Sequence, residues 1–379
     1  MKIVITGGGT GGHVAPALAV IDALRIEDPS VQLLYIGSHR GIEARLAADA
    51  GVRFTGIATG KLRRSSNPLK MINRRNLLDV ARVPLGFVQA LRTMKAFRPD
   101  AVLSTGGYVC VPTVLAANIL RVPIITHEQT VTVGLANRIA GRFARTIALA
   151  FPESQAQLPR SLAKKALVTG NPLRKELLAG NSDHPERFGF HPDDDHLPLV
   201  YVTGGAQGAR VINNAIADCA AELVQGTRVL HQCGTADAEA LRHTRDLLQL
   251  DDARRWQLRA FIEREEIGDA WSLASLVVAR AGAGTVSEAC ALSKPVVFVP
   301  LEPTSGDEQL KNAQRSADAG GALIVRQADC TGVSLLAAIR SVLQHPERLA
   351  TMGAANGSLA MPDASKQLAQ LLIKLGSQH

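Results

Sequence analysis

The sequence predicts an α/β protein made of two doubly wound domains, each built on a parallel sheet. In two stretches of the chain, short apolar segments alternate with helical ones, which is typical of parallel strands covered by helices on both faces. Each stretch opens on a strand that runs into a glycine-rich turn and a helix, with GGGTGGH at 7–13 and GGAQGA at 204–209. Because glycines let a backbone approach an anion at a helix start, these turns predict two nucleotide-type domains that face one phosphorylated ligand across a shared cleft.

The same alternation assigns individual elements. In the first stretch, strands are expected at 2–6, 31–36, 101–105, 123–127, 146–149 and 166–169, and helices at 16–27, 42–50, 84–97, 110–120 and 134–143. In the second stretch, strands are expected at 199–203, 227–232, 256–260, 276–279, 295–299 and 322–325, and helices at 209–220, 236–249, 308–318, 331–344, 346–358 and 363–375. Residues 180–197, rich in Asn, Asp, His and Pro, are predicted to form a loop or linker.

Composition limits the classes of function. The 379 residues are 46% hydrophobic and 20% charged, with a formal net charge of +8, so globular domains are expected. Aromatic residues make up only 4%, which disfavours the stacking platforms of nucleic-acid binders. No apolar run reaches the ~20 residues of a transmembrane helix, and because Met1 leads directly into a predicted strand, no signal peptide is expected. The five cysteines contain no C-x-x-C pair and are expected to be isolated thiols in a reducing cytoplasm.

One segment, residues 61–80, mixes basic and aliphatic side chains. Its first part, from Lys61 to Arg75, contains no acidic residue, and Leu69, Met71 and Ile72 are interleaved with the basic ones. This mixture favours contact with an anionic membrane surface, and a solvated loop is the alternative.

The first glycine turn lacks the features of two common nucleotide sites. His13 stands where a P-loop has its lysine, and no acid ends the next predicted strand, so neither an ATPase nor a nicotinamide dehydrogenase fits. A histidine just before the first helix, as predicted here, meets a helix dipole that favours the neutral imidazole of a general base. A capping or packing role for His13 is the alternative.

Other polar residues also follow predicted strands. Glu288 is expected in the first turn of a helix, where its carboxylate can accept both hydroxyls of a ribose or merely favour the helix start. His127 and Glu128 are candidates for acid–base or hydrogen-bonding roles. The run Asp193–Asp195 resembles the D-x-D metal motif of some sugar transferases, but no strand precedes it and no metal site is predicted.

Seven segments occur in the order found in the MurG family of glycosyltransferases. They are GGGTGGHVAPALA, STGGYVCVPTVLAA, HEQTVTVGLANR, GNPLR, TGGAQGAR, RAGAGTVSEA and DEQLKNA, and the resemblance covers nearly the whole chain. It implies a GT-B fold with an acceptor-binding, membrane-associating domain at 1–172, a UDP-sugar-binding domain at 173–359, and a C-terminal helix, about 360–379, packed on the first domain. The activity it implies is inverting β-1,4 transfer of N-acetylglucosamine (GlcNAc) from UDP-GlcNAc to lipid I, which is undecaprenyl-diphospho-N-acetylmuramyl-pentapeptide, to give lipid II.

The resemblance also assigns residues. The catalytic base it implies is His13, with Glu128 as the alternative, and the acceptor contacts are Gly106, Gly107 and Tyr108. The donor contacts it implies are Thr10, Gly11, Gly12, Asn137, Arg174, Gly205, Ala206, Gln207, Gly208, Ile262, Thr285, Glu288, Gln309 and Asn312. Among these, Glu288 would hold the ribose, and Gln309 with Asn312 would hold the sugar hydroxyls. The glycine loops of the first domain, together with Glu128 and Asn137, are expected on the acceptor side as well.

The implied partners are UDP-GlcNAc, lipid I and the anionic inner leaflet of the cytoplasmic membrane through 61–80, with cell-wall synthesis proteins and without nucleic acid. No cofactor or metal is implied. This sequence departs from the family pattern at three positions. The family usually has serine where Ala206 stands, asparagine where Thr130 stands, and often an aromatic or bulky residue where Ala15 stands. A related enzyme with another lipid acceptor, a UDP-GlcNAc epimerase of the same fold, and a catalytically silent membrane scaffold therefore remain alternatives.

Overall fold

The computed structural model describes residues 1–39, 41–60, 74–304 and 306–378. These residues form two compact units, one comprising Met1–Arg174 with Pro362–His379 and the other Lys175–Met361. Each unit contains one sheet whose strands are all parallel. The predicted fold class is confirmed.

The N-terminal unit has a seven-stranded sheet with the order β3-β2-β1-β4-β5-β6-β7. Its strands are β1 (Lys2–Thr6), β2 (Gln32–Ser38), β3 (Arg53–Ile57), β4 (Ala101–Ser104), β5 (Ile124–Glu128), β6 (Thr146–Leu149) and β7 (Ala166–Val168). Its helices before the second unit are α1 (Gly11–Glu27), α2 (Glu43–Asp49), α3 (Arg74–Phe97), α4 (Cys110–Ile119), α5 (Leu135–Phe143) and α6 (Arg160–Ala163). The central strands β4 and β5 are buried along their whole length, as expected for a parallel sheet covered on both faces.

The C-terminal unit has a six-stranded sheet with the order β10-β9-β8-β11-β12-β13. In chain order its elements are α7 (Lys175–Leu178), β8 (Leu199–Thr203), α8 (Arg210–Leu223), β9 (Arg228–Gln232), α9 (Ala238–Asp246), α10 (Leu250–Arg254), β10 (Trp256–Arg259), α11 (Ile267–Leu273), β11 (Leu276–Ala279), α12 (Ala283–Ala291), β12 (Val296–Phe298), α13 (Glu308–Asp318), β13 (Ala322–Ile324), α14 (Gly332–Leu343) and α15 (Pro346–Ser358).

The last helix, α16 (Ala364–Gly376), belongs to the N-terminal unit. Its apolar face, with Leu368 and Leu372 fully buried, joins the core cluster that contains Ile21 of α1. The Ser365 hydroxyl donates to the backbone oxygen of Leu173 at 3.0 Å. Burial of this face ties the end of the chain to its beginning.

The local structure differs from the sequence predictions at one strand and at the start of one helix. Strand β3 was missed because its sequence, RFTGI, is only partly buried at a sheet edge and lacks a long apolar run. Helix α3 begins at Arg74, ten residues before the predicted start, and contains Pro84. The segment 180–197 is a loop, which was one of the two predicted alternatives; it contains two short 3₁₀ turns, and Phe188 and Phe190 are buried in the C-terminal unit.

No helix among the described residues combines the length and the apolar character needed to cross a bilayer. Within the basic and aliphatic segment 61–80, residues 61–73 lie outside the described residues, and the remainder forms the first turns of α3.

Candidate active site

The candidate residues of the N-terminal unit gather at the carboxyl ends of β1, β4 and β5. The strand order reverses between β1 and β4, which pair directly, and loops at such a point form the usual ligand site of a doubly wound sheet. The loops after these two strands touch, since the Gly8 N–H donates to the Gly106 oxygen at 3.2 Å.

Two glycines in these loops are required by their conformation and surroundings. Gly107 has φ +78°, and a side chain there would collide with the backbone oxygen of Gly8. Gly9 has φ +85°, and a Cβ atom would lie 2.6 Å from the Tyr108 ring. Gly11 differs, because no protein atom lies within 4 Å of the position its Cβ would take. The loops are thus closely packed around Gly9 and Gly107 and open at Gly11, where α1 begins.

His13 lies in the first turn of α1 as its third residue, not just before the helix as predicted. The helix begins at Gly11, two residues before His13, because Thr10, in an extended conformation, is the N-cap. The half-buried imidazole places Nδ1 at 3.0 Å from the backbone oxygen of Thr105 and 2.9 Å from Oε1 of Gln129. Both oxygens are acceptors, so Nδ1 donates and the neutral ring keeps its lone pair on Nε2. That nitrogen can accept a proton from a hydroxyl group.

His127 is fully buried next to this arrangement. Its Nε2 lies 2.9 Å from the Gly170 oxygen, and its Nδ1 lies 3.0 Å from Nε2 of Gln129. Burial lowers the pKa of His127 to about 4, so the imidazole is neutral near pH 7.

The side chains of Glu128 and Asn137 are engaged in hydrogen bonds within the protein. The Glu128 carboxylate is 2% exposed, and it accepts from the backbone N–H groups of Thr130 at 3.0 Å and Gly134 at 2.8 Å and from the Asn137 amide at 2.9 Å. The Thr130 hydroxyl lies 2.9 Å from the same carboxylate. Asn137 also donates to the His127 oxygen and accepts from Thr126. These contacts hold the loop before α5, and they favour a structural role for both side chains.

In the C-terminal unit, the glycine-rich turn again follows the strand where the order reverses, because β8 pairs with β11. Gly205, Ala206 and Gln207 are exposed, whereas Gly208 is half-buried. Gly208 has φ +74°, and a side chain there would collide with the Cys233 oxygen, while the Cβ position of Gly205 meets no atom within 4 Å. The backbone of this turn is therefore accessible at its tip and closely packed at its base.

Side chains on β9 and α8 that sequence reasoning missed hold the segments around this turn. Gln232 donates to the Gly205 oxygen at 3.0 Å, and Asn213 donates to the Cys233 oxygen at 2.8 Å. Asn213 in turn accepts from Nε2 of His231 at 2.9 Å, and burial lowers the pKa of His231 to about 3. The sequence did contain a signal for these contacts: His231 and Gln232 are polar residues at the end of a predicted strand, and buried polar side chains need hydrogen-bond partners.

The segment after β11 forms a turn of small residues and then α12. Thr285, half-buried, is the third residue of this helix, and no atom occupies the Cβ position of Gly284. Glu288 is half-buried and lies in the second turn of α12, not in the first as predicted, because the helix already begins at Ala283.

The remaining predicted donor residues have different environments. Asn312 is 1% exposed and donates to the Ala281 oxygen at 3.2 Å, which ties α13 to the turn before α12. Gln309 is half-buried, and its oxygen accepts from the Leu301 N–H at 2.9 Å. The Ile262 side chain is buried in the segment after β10. Arg174 is half-buried and is the last residue of the N-terminal unit before α7.

The acidic run at 193–195 makes ion pairs. Asp194, 2% exposed, pairs with Arg254 at 3.0 Å and Arg255 at 2.8 Å, and Asp195 pairs with Arg228 at 2.5 Å. Among the described residues, no group of three His, Cys, Asp or Glu side chains converges to hold a metal ion. All five cysteines are free thiols, four of them buried.

Two family models match the chain. The glycosyltransferase family 28 N-terminal domain matches residues 3–149, and the glycosyltransferase family 28 C-terminal domain matches residues 199–368. A protein of Treponema pallidum (strain Nichols) named UDP-N-acetylglucosamine–N-acetylmuramyl-(pentapeptide) pyrophosphoryl-undecaprenol N-acetylglucosamine transferase is 34% identical over 373 residues. The alignment covers 98% of this chain and 94% of that protein.

Solved structures similar to this chain include a related glycosyltransferase and a more distant enzyme of the same fold. The crystal structure of Acinetobacter baumannii MurG is similar with a TM-score of 0.74 and 28% identity, covering 98% of this chain and 99% of that one. The UDP-GlcNAc 2-epimerase from Neisseria meningitidis, solved with UDP-GlcNAc bound, has a TM-score of 0.68 at 15% identity, covering 99% and 100% of the two chains. The second likeness shows a shared fold alone.

Proposed function

The chain belongs to glycosyltransferase family 28, among the UDP-N-acetylglucosamine–N-acetylmuramyl-(pentapeptide) pyrophosphoryl-undecaprenol N-acetylglucosamine transferases, and we propose that it transfers GlcNAc from UDP-GlcNAc to lipid I. The enzyme is a hexosyltransferase, and its lipid product is lipid II. The observation that carries the proposal is the extent of the relationship, which spans both units and 98% of the chain. The histidine on the first glycine loop supplies the chemistry such a transfer requires.

We propose that the reaction inverts the anomeric carbon. The acceptor 4-hydroxyl attacks that carbon from the face opposite UDP, the bond to the diphosphate oxygen breaks, and UDP leaves with the electron pair. The hydroxyl proton goes to Nε2 of His13, whose lone pair is available because Nδ1 donates to oxygens of Thr105 and Gln129. Glu128 is the weaker candidate, since its buried carboxylate already accepts three strong hydrogen bonds.

We propose that the C-terminal unit binds the donor. The exposed turn formed by Gly205, Ala206, Gln207 and Gly208 precedes α8, and Thr285 lies in the first turn of α12, so backbone N–H groups of both helix starts can meet the UDP diphosphate. Arg174 adds a positive charge for the leaving group. Glu288 is proposed to accept the ribose hydroxyls, with Ile262, Gln309 and Asn312 around the base and the sugar.

We propose that the N-terminal unit receives the acceptor diphosphate on its glycine loops. Gly106, Gly107 and Tyr108 follow β4 beside His13, and Thr10, Gly11 and Gly12 are exposed at the start of α1. The open Cβ position of Gly11 leaves its backbone accessible to an anion.

A transfer assay tests this function. The purified protein is incubated with radiolabelled UDP-GlcNAc and a lipid I analogue, in parallel with UDP-glucose and with UDP-N-acetylgalactosamine. We expect label in the lipid product with UDP-GlcNAc and far less with the other two donors. An epimerised sugar nucleotide formed without acceptor, or transfer only to a different lipid, would contradict the proposal.

We further propose that the enzyme acts at the cytoplasmic face of the cell membrane, bound through residues 61–80. The basic and aliphatic composition of this segment supports the proposal. Helix α3 begins within this segment and also exposes aliphatic side chains beside a basic one. Leu85 and Val88, one helical turn apart, are 55% and 39% exposed, and Arg82 nearby is exposed as well. Aliphatic side chains beside basic ones suit the interface of an anionic bilayer.

Replacing both Leu85 and Val88 by serine is expected to weaken binding to vesicles of anionic lipid by about tenfold or more, because two exposed apolar side chains no longer enter the interface. Vesicle cosedimentation measures the change. A matched control replaces Leu247 and Leu250, which are 75% and 84% exposed in the C-terminal unit, by serine. Equal loss in both double variants would remove α3 from the proposed membrane surface.

A further inference from the structure

We infer that Gln129 is a positioning residue for the proposed base: its side-chain amide, held between the imidazoles of His127 and His13, keeps the proton of neutral His13 on Nδ1 and leaves Nε2 as the proton acceptor. The inference rests on the proposed role of His13. The Gln129 side chain is 3% exposed, and its amide oxygen lies 2.9 Å from Nδ1 of His13.

The orientation of the Gln129 amide is fixed by its surroundings. One end lies 2.8 Å from the Thr105 backbone oxygen and 3.0 Å from the His127 backbone oxygen. Backbone oxygens only accept, so this end must be the NH₂ group. The opposite end is therefore the amide oxygen, and it lies 2.9 Å from Nδ1 of His13.

The protonation of His127 follows from the same network. Its Nε2 donates to the Gly170 oxygen at 2.9 Å, so its Nδ1 is an acceptor 3.0 Å from the Gln129 NH₂ group, whose second proton is shared between this nitrogen and the His127 backbone oxygen. Burial lowers the pKa of His127 to about 4, which keeps the ring neutral during catalysis near pH 7. A neutral, fully bonded His127 holds the Gln129 amide in place.

His13 Nδ1 is thus surrounded by oxygens that can only accept, the amide oxygen and the Thr105 backbone oxygen at 3.0 Å. When Nε2 takes the substrate proton, the positive charge that forms on the ring is met by these two dipoles and not by a paired carboxylate. Ionisable groups on segments near His13 include His127, Glu128, Tyr108 and Cys110, and the buried Glu43 lies against Gly8. The Glu128 carboxylate is engaged in the loop before α5, and burial raises the pKa of the Cys110 thiol to about 11.

The strand pattern explains why His127 and Gln129 act together. Alternate residues of an extended chain point to the same side, so residues 127 and 129 share a side and Glu128 points away from them. The contacts agree, since Gln129 meets both histidines and Glu128 meets Gly134 and Asn137.

Two substitutions at Gln129 test the inference. Gln129→Met keeps the volume and removes both polar ends, and Gln129→Glu keeps an acceptor beside Nδ1 but adds a negative charge. Ring-nitrogen NMR of ¹⁵N-histidine-labelled protein, with the His13 signals assigned through their loss in His13→Ala, reports the tautomer without any substrate. Steady-state kinetics report kcat, KM and the pH profile.

In the wild-type protein we expect the neutral His13 ring to carry its proton on Nδ1. In Gln129→Met the Thr105 oxygen remains as the one acceptor beside Nδ1, so we expect signals of both tautomers and a kcat lower by about tenfold, with KM values unchanged, which is the effect of losing one neutral hydrogen bond. In Gln129→Glu we expect the acid limb of the kcat profile to move up by about one pH unit or more, because a carboxylate favours the protonated ring. Gln89→Met is the matched control, since the oxygen of half-buried Gln89 also accepts a hydrogen bond, from the Ala58 N–H at 2.7 Å.

Three results would overturn the inference: a wild-type His13 protonated on Nε2, a Met variant whose tautomer and kcat match the wild type, or a Glu variant whose acid limb does not move. Circular dichroism and thermal unfolding show whether each variant is folded, and the wild-type tautomer remains a test if neither variant folds. A wild-type protein without transferase activity would refute the proposed function alone, because the NMR measurement needs no turnover.

Discussion

The His13→Ala variant is expected to turn over lipid I about 10²–10⁴ times more slowly than the wild type at saturating substrate concentrations, the usual effect of removing a general base. The acceptor hydroxyl would then have to lose its proton to water, while the lone pair on Nε2 of His13 accepts it directly in the wild-type enzyme. The first turn of α1 does not depend on the imidazole, since the helix N-cap is Thr10 and the Thr105 hydroxyl donates to the His13 backbone oxygen at 2.7 Å.

Single-turnover and steady-state rates with UDP-GlcNAc and a lipid I analogue measure this effect. A matched control is His243→Ala, because His243 is exposed on α9 of the other unit. If His13→Ala retained a rate close to that of the control, the proton acceptor would have to be another group, and Glu128→Gln would become the next variant to measure.

The Glu288→Ala variant is expected to bind UDP about 10²–10⁴ times more weakly while losing much less in kcat at saturating donor. A carboxylate that accepts two ribose hydroxyls contributes charged hydrogen bonds, each worth roughly 1.5–3 kcal/mol. The ribose does not change during transfer, so these bonds stabilise ground state and transition state alike, and their loss raises KM.

Calorimetry with UDP measures the binding loss directly. Glu239→Ala is the matched control, since Glu239 is exposed in the first turn of α9 in the same unit. An unchanged affinity of Glu288→Ala for UDP would exclude the ribose role. A loss of kcat as large as the loss of affinity would instead indicate that Glu288 acts in the transition state.

The sequence by itself determined the fold class and the two glycine-rich turns. Both signals are local: apolar segments of strand length alternate with helical ones, and a glycine run follows the first strand of each series. Strands β1, β8 and β11 were therefore predicted at their observed bounds. Strand β3 has weaker local signals, because its residues are only partly buried at the sheet edge, and it was missed.

The tertiary structure decided which polar side chains near the strand ends are available. The sequence analysis named Glu128, Asn137 and Asn312 as site residues alongside His13, yet all three are nearly fully buried and hydrogen-bonded within the protein. The contact between His13 and Gln129 joins residues 116 positions apart. Such a contact exists only because the sheet order puts β4 between β1 and β5, and periodicity along the chain carries no information on that order.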